Sequence, residues 1–217
     1  MKVIMIAAIT LCGRISPAPL GSALDRRLLE RMRDETDASL LGGATLRQAD
    51  PEMLGAGGRA GQRLRAFITA SGDIPLEGKK VFASGPAPLI FTARQCRQEL
   101  ERRLAGRAEV IVLPQGPGGL SVAAAISEFE RRGARSVLIE GGAILNYSAL
   151  RQRVVDEVMV TLTPKLSGDE HAASLADGPA ALGSPFLALA LLSCRPQHTG
   201  EIVLHYQVCY EEQHQTT

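Results

Sequence analysis

The chain has 217 residues, with 24 Lys and Arg against 23 Asp and Glu, a formal net charge of +1, 45% hydrophobic residues, 4% aromatics and no Trp. That length suits one domain spanning 1–217. The near-neutral balance removes any electrostatic drive toward nucleic acid or an acidic membrane surface, and the scarcity of aromatics argues against a stacking platform for single strands.

The pattern MKVIMIAAITLCGR opens with a continuous, partly β-branched run, so residues 3–9 read as a strand covered on both faces. It passes directly into Gly13 and Arg14 with no cleavage signal, so it reads as a buried strand and not a leader. A loop over 13–21 ends at Ser22, an N-cap for a helix with Leu24, Leu28, Leu29 and Met32 on its apolar side. Residues 37–41 form a second strand, closed by Gly42 and Gly43. Residues 50–61 are Gly-rich loop. Strands are expected at 64–69, 81–84, 89–92 and 110–113, with a helix at 95–104. A turn at 116–119 leads into an amphipathic helix at 121–132. The strand 137–139 runs into Glu140, Gly141 and Gly142, and a helix at 143–150 follows. A strand at 154–162 and a loop at 168–185 precede an antiparallel pair, 187–193 and 202–210.

Alternating strands and helices predict an α/β fold in three layers: a mostly parallel mixed sheet, helices on both faces, and an antiparallel C-terminal hairpin on one edge. The apolar run 186–192 is far too short to span a bilayer. Cys12, Cys96, Cys194 and Cys209 form no CxxC pair, and no His stands near them at ligand spacing. This pattern speaks against a metal site and a disulfide scaffold, and for small packed residues in a reducing cytoplasm.

In an open α/β sheet, ligands lie beyond the carboxyl ends of the strands. Three segments end there: Thr10 to Gly13, Leu41-Gly42-Gly43-Ala44-Thr45, and Glu140-Gly141-Gly142-Ala143. Glycine lets bare main chain approach a phosphate, and the free N–H groups at the start of the next helix bind the anion. Asn146 and Ser148 stand in the first turns of that helix. The dinucleotide fingerprint GxGxxG and the P-loop motif are both missing. A purely structural turn is the alternative at this point. Likewise, Ser22 is first a helix cap, Arg33 a surface charge of an Arg-rich helix, Thr45 a turn cap and Asp50 a turn starter. Arg59, Arg63 and Arg65 read as members of an exposed loop, with phosphate binding as the alternative.

The segments VLIEGGAILNYSAL and VVDEVMVTLTPKLSG resemble the signature of the riboflavin-biosynthesis pyrimidine reductases, members of the dihydrofolate-reductase-like superfamily. AITLCGRI, MRDETDASLLGGATLRQADP and GEIVLHYQV are similar, in order and spacing, to further blocks of the same family. The resemblance implies an NADPH-dependent oxidoreductase that delivers hydride to C1 of a ribose carried by an aminopyrimidine, giving a ribityl chain. It places the cofactor on Gly141, Gly142, Ala143, Ile144, Leu145 and Asn146, with Ala8 and Thr45 by the nicotinamide and Ser71 by the adenosine 2′-phosphate. It places Glu140 at the substrate as the catalytic candidate, with Ser22, Arg33 and Asp50. It also implies a homodimer acting on a small molecule, in the cytoplasm, without the family's zinc deaminase module. The chain departs from the family pattern at Ile6, Cys12 and Ala49, around the reacting centre. A reductase of the same fold acting on a different C=N or C=O group, or a non-catalytic nucleotide-binding protein, are the competing readings.

Overall fold

The computed structural model describes residues 1–15, 20–57, 63–116 and 118–210. Among them one sheet is built from β1 (Lys2–Thr10), β2 (Ala38–Gly42), β3 (Leu64–Thr69), β4 (Leu89–Thr92), β5 (Glu109–Val112), β8 (Ser136–Ile139), β9 (Glu157–Thr163), β10 (Ala188–Pro196) and β11 (Ile202–Cys209). A two-stranded turn of β6 (Gln115–Gly116) and β7 (Gly119–Leu120) stands apart. The order across the sheet is β10-β11-β9-β1-β8-β2-β3-β4-β5. Strands β9 through β5 in that order are mutually parallel, while β11 runs antiparallel to both β9 and β10. The expected mixed α/β sheet with its antiparallel edge is therefore present.

β1 lies inside the sheet and is covered on both faces, which is why its apolar run is unbroken. Val3 and Met5 pack with Phe129 and Leu145, whereas Ile4 and Ile6 pack with Leu28 and Met32. The first set belongs to α4 (Val122–Arg131) and α5 (Ala143–Arg151), the second to α1 (Ala23–Glu35). α3 (Arg97–Leu104) adds Leu100 and Leu104 to a further cluster with Phe67 and Ile90. In α4, Val122, Ala125, Ile126 and Phe129 recur at helical spacing and are buried, and Ser121 caps the helix by accepting from Ala124 N–H at 3.1 Å. Phe129 meets Phe91 of the sheet edge-on, with centroids 5.5 Å apart. Each such ring, fully buried, contributes about 1.5–3 kcal/mol.

One expectation is corrected. The strand expected at 81–84 is instead a single 3-10 turn, Lys80–Phe82. Val81 is buried by that turn in the α3 cluster, which a partner strand is not needed to achieve. A short helix, α2 (Gly43–Gln48), follows β2, in a stretch to which the sequence assigned no element. It has one buried large apolar anchor, Leu46, too little for a periodic signal. Of the loops expected at 13–21 and 50–61, residues 16–19 and 58–61 lie outside the described residues.

Candidate active site

All the glycine turns singled out in the sequence fall at the carboxyl end of the parallel sheet, because a crossover helix follows β1, β2 and β8. β8 stops at Ile139, opposite Met5, while β1 runs on to pair with β9 as far as Thr10 and Thr163. A gap therefore opens beyond β8, with β1 on one side and β2 on the other. Lys2 N–H bonds Arg135 C=O and Val3 C=O accepts from Asp156 N–H, so even-numbered residues of β1 turn their main-chain groups toward β8. The N–H and C=O of Ala8 consequently face the gap.

The turn that closes β8 has an unusual backbone. Gly141 and Gly142 both have φ +103°, a region that L-residues avoid. Gly42 N–H reaches Gly141 C=O at 3.3 Å, tying the two glycine turns together. A Cβ built on Gly141 would meet nothing within 4 Å, whereas one on Gly142 would lie 3.6 Å from both Gly42 Cα and Thr45 Oγ1. One on Gly43 would come within 2.9 Å of Thr69 Cβ. A side chain at Gly142 would thus reach Thr45 and one at Gly43 would reach Thr69, whose Oγ1 is 3.5 Å from Ser71 Oγ.

At the start of α5, Asn146 N–H bonds Gly142 C=O at 2.9 Å, the first bond of the helix. The amides of residues 141–145 have no acceptor among the described residues. A helix start with unsatisfied N–H groups carries partial positive charge and takes up an anion. Ile144 is 74% exposed there and Gly142 is partly exposed, while Gly141, Ala143 and Leu145 are buried. Asn146 is fully buried; Nδ2 donates to Leu175 C=O at 2.8 Å, and Oδ1 has no partner among the described residues. Asp177 N–H bonds Ala143 C=O and Leu175 N–H bonds Gly13 C=O, so the loop after β9 braces both turns. Two surface clefts lie elsewhere: about 410 Å³ between α1 and the β10–β11 turn, and about 390 Å³ beside Arg103 and Arg107.

The residues expected at the substrate have other partners. Glu140 and Arg33 hold each other. Arg33 Nε and Nη2 donate to Glu140 Oε1 and Oε2 at 3.0 and 2.5 Å, and the two side chains are only 4% and 3% exposed. Ser39 also donates to Glu140 Oε1. Burial, the largest single influence, pushes the Glu140 carboxyl up, but the Arg33 charge, the hydrogen bonds from Arg33 and Ser39, and the Arg63 charge outweigh it and hold it below the usual carboxylate range. A general acid near neutrality needs the opposite shift; here the carboxylate is turned inward onto Arg33 and Ser39. Arg33 is not a surface charge; it also donates to Leu54 C=O at 3.2 Å. Ser22 caps α1 by accepting from Leu24 N–H at 3.1 Å, and its own Oγ–H donates to Glu201 at 2.5 Å. Asp50 accepts from Lys80 N–H at 2.8 Å, and Ser22 stands at the opposite end of α1 from Arg33, so the hydrogen bonds among these four described residues join only Arg33 and Glu140.

Arg63 and Arg65 belong to no exposed loop. They are 4% and 1% exposed. Arg63 donates to the carbonyls of Arg33 and Thr36, where α1 ends, a favourable place for a cation. Arg65 gathers the carbonyls of Glu52, Val81, Ser84 and Pro86. Burial lowers both guanidinium pKa values to about 10. No local pattern in the sequence announces which distant carbonyls they bind. Ser39 gave no signal of its own.

Cys12 is exposed at the end of β1. A hydrogen bond with Thr10 Oγ1 (3.2 Å), and then the Ser167 amide (3.4 Å), lower its pKa to about 7. Ile6 packs in the core against α1, away from the gap. Among the described residues no three His, Cys, Asp or Glu side chains converge as a metal site would, and no helix is long and apolar enough to cross a membrane.

The family model described as the RibD C-terminal domain matches residues 1–203. A 2,5-diamino-6-ribosylamino-4(3H)-pyrimidinone 5′-phosphate reductase from Aquifex aeolicus is 28% identical over 187 residues, covering 81% of this chain and 82% of its own. In fold, the chain is similar to a pyrimidine reductase-like protein from Corynebacterium diphtheriae, with TM-score 0.80, 22% identity, and 97% and 92% of the two chains covered. It is similar also to dihydrofolate reductase from Enterococcus faecalis, solved with NADP(H), with TM-score 0.56, 13% identity, and 96% and 97% covered.

Proposed function

Because the chain belongs to the RibD C-terminal domain family, we propose that it is an NADPH-dependent pyrimidine reductase of riboflavin biosynthesis, acting on the ribosylamine phosphate named for its Aquifex relative. The observation that carries this reading is the row of unsatisfied amides at residues 141–145, set at the carboxyl end of a dihydrofolate-reductase-like sheet. The residues fit a dinucleotide: glycines with positive φ open the main chain, one of them with free space where a side chain would stand.

In this reading the amides of Gly141, Gly142, Ala143, Ile144 and Leu145 bind the diphosphate, and Asn146 anchors the helix behind them. Thr45 holds the ribose side, and the Ala8 main-chain groups fix the carboxamide edge. Ser71, just beyond the carboxyl end of β3 and beside Thr69, reaches the 2′-phosphate and so favours NADPH. The bound cofactor supplies the hydride. The protein's share is to fix two ligands edge to face and keep water out. The proton that accompanies the hydride does not come from Glu140, which is held ionised and buried. Ser22, Arg33 and Asp50 shape the substrate side through the elements they secure.

The cysteines at 12, 96, 194 and 209 are all free, which suits a reducing compartment such as the cytoplasm. The homodimer is supported by β10, an edge strand with Leu189, Leu191 and Leu192 exposed along an open hydrogen-bonding edge. A second copy pairing there would continue the sheet.

The test is to titrate the purified protein with NADPH, following nicotinamide fluorescence, and then add the ribosylamine phosphate. Binding at sub-millimolar cofactor and substrate-dependent NADPH oxidation are expected. No binding in that range would overturn the reading.

A further inference from the structure

A run of buried polar groups lies under the glycine turn and ends at it. Arg63, fixed to the end of α1, sends Nη2 to Thr36 Oγ1 and Ala38 C=O, both at 3.0 Å, and to Ser39 Oγ at 2.5 Å. The Ser39 hydroxyl accepts that bond and donates its own proton to Glu140 Oε1. Arg33 grips the same carboxylate through two nitrogens, in the planar fork that suits a carboxylate. Glu140 N–H is bonded to Leu40 C=O of β2 at 3.0 Å. The next residues are Gly141 and Gly142, which have no side chains by which anything else could hold them.

A buried ion pair is a poor source of net stability, because desolvation offsets most of the attraction. Its directional bonds are, however, well suited to hold a main-chain segment in one place. The last side chain before the flexible glycines is gripped from both sides, and the amides that follow inherit its position. We infer that Ser39 and Arg63, acting through Glu140 and Arg33, are positioning residues that aim the amides of the Gly141/Gly142 turn at the cofactor diphosphate. This rests on the reading that the turn carries the diphosphate. None of the four side chains touches a ligand in this account.

The experiment compares wild type with Ser39→Ala, Ser39→Thr and Glu140→Gln. The measurements are NADPH dissociation constant by fluorescence, hydrogen exchange of the amides at 141–145, and the pH profile of kcat at saturating cofactor. Loss of one hydrogen bond to the buried carboxylate in Ser39→Ala should weaken cofactor binding by about tenfold. It should speed exchange at 141–145 and leave kcat within about twofold. Ser39→Thr, which keeps the hydroxyl, should recover most of the affinity. Glu140→Gln keeps the shape and should raise the dissociation constant without removing the acid limb of the pH profile. If Ser39→Ala loses stability but its folded fraction binds NADPH like wild type, the inference is overturned. It is overturned equally if Glu140→Gln leaves affinity intact and abolishes the acid limb. Failure of wild type itself to bind NADPH would instead sink the functional reading beneath it.

Discussion

Adding one methyl group at Gly141 separates the cost of an unusual backbone from the loss of a binding surface. Gly141 has φ +103°, so alanine there is strained by about 1–3 kcal/mol. The new Cβ would touch nothing in the chain within 4 Å, so no packing clash adds to that cost. It would instead occupy the space beside the free amides. If the diphosphate is displaced from even one of them, a charge-assisted bond worth about 1.5–3 kcal/mol is lost. At about 1.4 kcal/mol per decade, NADPH affinity should fall by roughly 10- to 100-fold. Gly133→Ala is the matched control. Gly133 has φ +88° and also has nothing within 4 Å of a built Cβ, but it lies between α4 and β8, at the opposite end of that strand. Urea unfolding should show similar losses for both variants, while fluorescence titration should show weakened NADPH binding for Gly141→Ala alone. If Gly141→Ala binds NADPH within twofold of wild type, the amides do not carry the diphosphate.

Arg65→Met should cost about 3 kcal/mol or more in urea unfolding, since four carbonyls lose their donor; a loss under 1 kcal/mol would mean those carbonyls find water freely. Glu140 has its folded pKa below the unfolded value of about 4.3, so its contribution is complete above that value and is lost as pH falls below it. Unfolding midpoints should therefore drop between pH 5 and pH 3, and a flat profile across that range would contradict a carboxylate held ionised by Arg33. Cys12, with a pKa of about 7, should reach its full iodoacetamide reaction rate by about pH 8, and Thr10→Val should move the curve upward; a wild-type rate still climbing beyond pH 9 would refute the Thr10 bond. In the proposed homodimer, Leu191→Lys on the open edge of β10 should shift the protein toward monomer in sedimentation, and a dimer unchanged by it would place the interface elsewhere.

Much of the architecture is local and was legible. A strand with both faces covered is apolar throughout, as β1 is, and a helix with one covered face repeats its apolar residues every three or four positions, as α4 does. The Glu140-Gly141-Gly142 turn was readable because glycine's freedom of φ is a property of the residue itself. The six-residue α2 escaped because two turns of helix hold too few apolar residues to show a period. Residues 80–82 misled because a buried valine looks alike in a strand and in a 3-10 turn.

The succession of strands and helices along the chain and the glycine turns between them follow from chemistry within a few residues, and the amino-acid sequence determined both, together with the family to which the chain belongs; the order of the strands across the sheet is tertiary. Which side chains meet is a different matter. Arg33 and Glu140 lie 107 residues apart, and Ser22 and Glu201 lie 179 apart. The Glu140 carboxyl is buried and held below the usual carboxylate range because β2, β8 and the end of α1 enclose it with a guanidinium on one side and a hydroxyl on the other. Only tertiary structure decided that, because the ionisation of a carboxylate depends on the charges and solvent around it, and those are assembled by folding.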